Sequence, residues 1–143
     1  MIRKSVLLPC PQPRAFALFT ARISEWWPAD RRHTRDPRSE LFLTEGGRFW
    51  ERARDGHEVD LGRVREWRAP ERLLLDFYVG TDAAHPTEVE VSFVPEGEGT
   101  RVSITHRPTA LSEEMWKLRN GAFDRSWDVV LAALAAAATA EPG

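Results

Sequence analysis

Ser112 to Ala138 reads SEEMWKLRNGAFDRSWDVVLAALAAAA, roughly 27 residues without a proline. Its large apolar side chains, Trp116, Phe123, Trp127, Val130, Leu131 and Leu134, recur at the spacing of one helical stripe. Ser112 is placed to cap the helix, with Glu113 and Glu114 in its positive first turn. After the Ala-rich tail, Glu141-Pro142-Gly143 is expected to fray. A long amphipathic helix needs a surface to bury its stripe, so the rest of the chain must supply one.

Upstream, the period changes to two. Thr87 to Val94 sets Val89, Val91 and Phe93 against Glu88, Glu90 and Ser92, and Thr100 to His106 groups Val102, Ile104 and His106. Such alternation marks antiparallel strands with one wet face. Ile2 to Leu8, Leu41 to Thr44, Arg48 to Arg54, His57 to Trp67 and Arg72 to Val79 complete the set. Turn signals stand at Gly46-Gly47, Asp55-Gly56, Pro70-Glu71 and Pro95 to Gly99, and Gly62 is predicted at a bend. Between the first two strands, Pro11 and Pro13 bracket the start of a short helix with Ala15, Phe16, Leu18 and Phe19 on its apolar face. Ile23, Trp26 and Trp27 continue that helix or begin a second, which Pro28 stops; polar Ala29 to Ser39 reads as an exposed loop. The order predicts an α+β fold: a curved antiparallel sheet of about six or seven strands wrapped around the long C-terminal helix, with two short helices after the first strand and room for a cavity. The length predicts one domain over residues 1–143.

Composition narrows the function classes. A net charge of −2 gives no basic field to attract nucleic acid or anionic lipid. No apolar run approaches the ~20 residues of a membrane span, and Val6-Leu7-Leu8 is too short for a signal-peptide core. The single cysteine, Cys10, excludes an internal disulfide and fits a reducing cytoplasm. No metal is expected: His33, His57, His85 and His106 show no ligand spacing. Nor does the chain hold a nucleophile elbow or a phosphate loop, so no cofactor is expected.

The order of elements, with Trp26-Trp27-Pro28, Glu45-Gly46-Gly47-Arg48, Glu51 followed by Asp55-Gly56, Gly62-Arg63-Val64, Pro70-Glu71-Arg72-Leu73, Gly99-Thr100-Arg101-Val102, and Trp127 with Leu131 and Leu134, resembles the SRPBCC (START-like, helix-grip) superfamily. The nearer likeness is to its branch of activator of heat-shock-protein ATPase homologues. Many relatives carry a Gly-Trp pair in the last helix, where this chain has Ser126-Trp127. The resemblance implies a cavity between sheet and helix. It leaves the activity open among ligand carriage, cyclase-type catalysis and a chaperone-like protein interaction.

The inner faces suggest the site. Val89, Val91, Phe93, Val102, Ile104 and His106 are expected as one wall and Phe123, Trp127 and Val130 as the other, with Phe49 and Phe77 nearby and Trp26 and Trp27 near the entrance. The expected ligand is small and apolar or aromatic, held by a monomer or homodimer. Two titratable groups fall on these faces. His106 reads either as a cavity acid or base or as a strand-end histidine bonded locally. Glu51 reads either as a buried carboxylate with a raised pKa, a polar anchor or base, or as the partner of an arginine. They are the weak catalytic candidates. Trp50 is expected outside, between Arg48 and Arg52. The Arg31-Arg32-His33-Thr34-Arg35 run reads either as a grip for an anion or, because Asp30 and Asp36 flank it, as a solvated loop, and the solvated loop is the expectation.

Overall fold

The structure is a computed structural model and describes residues 1–140. The expected fraying of Glu141-Pro142-Gly143 lies outside the described residues. Strand β1 spans Ile2–Leu8, helix α1 Gln12–Phe19, β2 Glu40–Leu43, β3 Arg48–Arg52, β4 Glu58–Arg68, β5 Arg72–Phe77, β6 Thr87–Glu96, β7 Gly99–Arg107 and helix α2 Glu113–Ala140. The seven strands form one antiparallel sheet in the order β1-β7-β6-β5-β4-β3-β2. This is the α+β arrangement that the sequence pattern predicts and the helix-grip fold that the resemblance implies.

Each element follows from its residues. Pro11 and Pro13 open α1, whose Ala15, Phe16, Leu18 and Phe19 are buried. The chain then makes a 3₁₀ turn at Ile23–Glu25 and another at Ala29–Arg31. In β6 and β7 the alternation is strict: Val89, Val91, Phe93, Val102 and Ile104 are inside and their neighbours face out. The outer face carries an ion-pair lattice. Arg72 binds Glu66 and Glu90, Arg107 binds Glu88, and Arg65 bridges Glu88 and Asp76. Much of the arginine content is used there, and exposed pairs of this kind contribute modestly one by one. Trp50 stacks on Phe42 at 4.4 Å, with the Arg48 guanidinium 4.7 Å from the Trp50 ring.

Strand β4 departs from simple alternation. Phe49 pairs with Gly62 but Trp50 with Asp60, so Leu61 and Gly62 both turn inward at a bulge. A second shift falls between Val64 and Glu66, letting both Val64 and Trp67 face the core side. Bulges bend the strand and increase its twist, which curls the sheet around α2. Gly62 is required there: a Cβ would lie 2.3 Å from the Asp76 carbonyl oxygen.

Helix α2 buries Phe123, Trp127, Val130, Leu131, Leu134 and Ala138 against the sheet. Trp116 is only half-buried, and Leu118 is 85% exposed. Lys4 of β1 reaches Asp124 at 3.2 Å and Asp128 at 2.9 Å on the helix flank. Ser112 precedes the helix as expected, but its hydroxyl accepts the Thr109 N–H at 2.9 Å rather than a helical one. No helix among the described residues is long and apolar enough to cross a membrane.

Gly62→Ala is expected to destabilise the protein by about 2 kcal/mol or more, because the backbone oxygen it meets has no room to retreat. A urea midpoint unchanged from wild type would contradict the bulge geometry.

Candidate functional site

Between the sheet and α2 lies a cavity lined by Trp27, Arg31, His33, Phe77, Val79, Phe123, Ser126, Trp127 and Val130. Its volume is about 40 Å³, which suits a water or two, so a larger molecule must extend out through the mouth. A wider surface groove shares His33 and Val79 as a common wall and continues along Val59, Leu61, Tyr78 and Thr81.

The walls are aromatic and held by one another. Phe77 stacks on Trp127 at 5.7 Å with 27° between the rings, giving the cavity a flat face. Phe49 lies behind them, 6.4 Å from Phe77 and edge-on to Trp27 at 5.8 Å. Trp26 is turned away, donating its indole N–H to the Leu18 carbonyl at 2.7 Å and packing on Phe19. At the mouth, Gly80 takes a left-handed conformation (φ 78°) and its Cα hydrogens face the edge of Phe123; a Cβ would lie 2.4 Å from that ring.

His106 is fully buried beneath this floor. It is surrounded by the rings of Phe77, Trp116, Phe123 and Trp127 at 4.6 to 6.0 Å. Trp127 donates its indole N–H to His106 Nδ1 at 3.0 Å. An indole nitrogen can only donate, so Nδ1 carries no proton. The proton is therefore on Nε2, which donates to Thr87 Oγ1 at 2.8 Å, and the Thr87 hydroxyl in turn donates to the Phe77 carbonyl at 3.2 Å. Every polar atom of this line has its partner. Burial pushes the imidazole down to about 3, so it stays neutral. Of the two sequence readings, the locally bonded histidine is the one the geometry supports. His106 does not border the cavity.

Glu51 is also fully buried, and not as expected. The Thr34 N–H donates to its carboxylate at 2.8 Å and the His33 N–H at 2.8 Å, with the Thr34 hydroxyl at 2.5 Å. Desolvation is the largest single influence and would raise its pKa, but these donors together outweigh it and the pKa is lowered. The expectation of a raised pKa is corrected. The partner is loop backbone rather than an arginine side chain, because the inward parity of β3 aims Glu51 under the 33–36 turn. Arg32, expected in solvent, is half-buried and donates to the carbonyls of Ser39, Ser24 and Trp27 at 2.5, 3.0 and 2.8 Å. Arg35 takes a left-handed backbone (φ 65°), a conformation disfavoured for a side chain with a Cβ and sustained here by the bonds around it. Glu51 and Arg32 thus fix the turn that brings Arg31 and His33 to the cavity.

The cavity therefore gathers Trp27, Phe77, Phe123, Trp127 and Val130 from the expected set. Val89, Val91, Phe93, Val102 and Ile104 are packed solid in the core and do not border it, and neither do Trp26, Phe49, Glu51 and His106. Arg31, His33, Val79 and Ser126 were not among the expected residues. In the sequence Ser126 stands out only as a departure from the family pattern, and Arg31 and His33 only within a run whose anion-grip reading gives way to a solvated loop. Among the described residues no cluster of three or more His, Cys, Asp or Glu side chains is arranged to hold a metal.

The model of the family described as activator of Hsp90 ATPase homolog 1-like protein matches residues 9–139. The chain belongs to this family. Solved structures share the fold described above. CalC from Micromonospora echinospora, a self-sacrificing resistance protein, is 25% identical, with 96% of this chain and 92% of that chain covered and a TM-score of 0.71. Txn09, an anthrahydroquino-γ-pyrone synthase, is 29% identical, with 94% of each chain covered and a TM-score of 0.61. Protein NE0264 from Nitrosomonas europaea shares the fold at 15% identity, with 99% and 95% covered and a TM-score of 0.68. Comparison with curated proteins gave no match.

Two outcomes are expected of the buried groups. His106 takes up its proton more readily in the unfolded chain, near 6.5, than in the folded one, near 3. Its contribution is complete above about pH 6.5 and is lost as pH falls toward 3, by up to about 1.4 kcal/mol per pH unit. His106→Gln should flatten the stability-versus-pH curve between pH 6.5 and 5, a change read by urea titration; an equally steep variant contradicts the neutral, buried assignment. Glu51→Gln should cost about 2 kcal/mol at pH 7 through lost charged hydrogen bonds. Because the folded pKa of Glu51 is lowered, its contribution is present above the ordinary carboxylate range and lost as pH falls through the folded pKa. The two proteins should therefore converge in stability in acid.

Proposed function

We propose that this protein binds a small, flat, largely apolar molecule in the cavity between the sheet and α2. The observation that carries the reading is the slot itself: the stacked rings of Phe77 and Trp127 line it with Trp27, Phe123 and Val130, and Arg31, His33 and Ser126 bring polar groups. Apolar pockets with a few convergent polar groups are the usual form of small-molecule sites. Flat aromatic walls suit a planar ligand through offset stacking as well as burial. The likeness to a synthase of an anthrahydroquino-γ-pyrone supports a ring-shaped ligand.

A cyclase or dehydratase that moves protons with Glu51 or His106 has no support from the geometry. Both groups are enclosed, and both are fully engaged in internal hydrogen bonds. A chaperone-like interaction module would use the outer surface and have no need of the slot.

The test is Ser126→Leu. Ser126 faces the cavity from α2, and leucine is a good helix former that fills the space. With 2-naphthamide as probe and the Trp127 indole N–H resonance as readout, wild type should bind and the variant should bind at least about tenfold more weakly. The thermal midpoint should hold or rise, since a void is filled. Equal affinity in the two proteins would sink the cavity reading and leave the surface module.

A further inference from the structure

The polar groups of the slot say what kind of ring it takes. Among the described residues the His33 ring nitrogens and the Ser126 hydroxyl have no hydrogen-bond partner within the protein, although both line the cavity. The Arg31 guanidinium has only a long contact to the exposed Asp30, at 3.4 Å. Such a pair is weak and readily exchanged for a better one. Three groups with unused hydrogen-bonding capacity thus converge on an otherwise apolar slot, and two of them stand together at its mouth.

The charge at that mouth is compensated unevenly: Glu51 and Asp36 act on Arg32, whereas among the described residues Arg31 has only the exposed Asp30 beside it. Arg31 and Arg32 lie within one turn, while the buried carboxylate beneath them, Glu51, is occupied by the backbone of residues 33 and 34 and the Thr34 hydroxyl. In the adjoining groove, Asp60 is bound to Arg48 at 2.5 Å and Asp82 to His85 at 2.7 Å. Among the described residues that line the slot there is no carboxylate. Arg32 is itself committed to three carbonyls, so Arg31 is the cation that a ligand meets. A guanidinium presents a planar fork that matches a carboxylate, and a partly desolvated site strengthens the pairing.

We propose that the cavity recognises an acidic aromatic molecule, a carboxylate or phenolate, whose anionic oxygen is held at the mouth by Arg31 and His33 while its ring lies against Phe77 and Trp127. Ser126 then meets a carbonyl or hydroxyl on the ring's inner edge. The inference rests on the binding reading above and adds the ligand's charge to it. It also gives Glu51 and Arg32 a positioning role: they hold the turn that presents Arg31 and His33.

The experiment compares two probes of nearly the same shape, 2-naphthoate and 2-naphthamide, by titration calorimetry and by the Trp127 indole resonance. Naphthoate should bind about tenfold or more tightly than the amide, equivalent to about 1.4 kcal/mol. Arg31→Met should remove most of that preference and His33→Gln part of it. Both residues lie on an accessible turn, so the variants should fold, which their thermal midpoints will verify. Equal affinities, with both probes shifting Trp127, would overturn the acidic-ligand inference and leave the cavity reading standing. Failure of both probes to shift Trp127 would overturn the two together. A naphthoate preference indifferent to both substitutions would overturn the roles given to Arg31 and His33.

Discussion

The hydrogen-bonded line from the Trp127 indole through His106 and Thr87 to the Phe77 carbonyl joins the long helix to three strands of the sheet. A polar line this deep is stabilising only when complete, because each unpaired member would bear its full desolvation cost. Completeness fixes much else. It sets the tautomer of His106, the rotation of the Trp127 ring, and so the height at which α2 rides above β5. The cavity is the space left where the helix, held at that height, stands clear of the strand ends.

A second constraint acts at the mouth. Glu51 is placed by the inward parity of β3, and backbone donors and a hydroxyl of the 33–36 turn meet it there. The same carboxylate that would be costly alone becomes the seat of a loop. Arg32 does the complementary work from the cationic side, with carbonyls as its partners. Loop and floor are therefore ordered by different means, one by charge meeting backbone dipoles and the other by a neutral relay within aromatic packing.

The fold was legible because its signals are local and periodic. The stripe from Phe123 to Leu134, the alternation of Val89, Val91 and Phe93, and the Asp55-Gly56 turn each state their geometry within a few residues. The site was legible only in part. Parity says that Val91 and Ile104 face inward, but not where along the strands the helix lifts away, which depends on the tilt of α2 and on the bulges at Leu61 and Arg65. The cavity consequently lies toward Phe77 and Val79 rather than over Val91. Arg31 and His33 were passed over for another reason. A polar run of arginines and aspartates has the composition of a solvated loop, and non-local contacts distinguish this one: Glu51 with the backbone of residues 33 and 34, and Asp36 with Arg54.

The left-handed Arg35 has a further consequence. A residue with a Cβ keeps such a conformation only where its surroundings over-determine it, and here the hydrogen bonds of Glu51 and Arg32 do so. The side chains of Arg31 and His33 take no part in those bonds, so they can vary while the backbone frame that carries them stays the same.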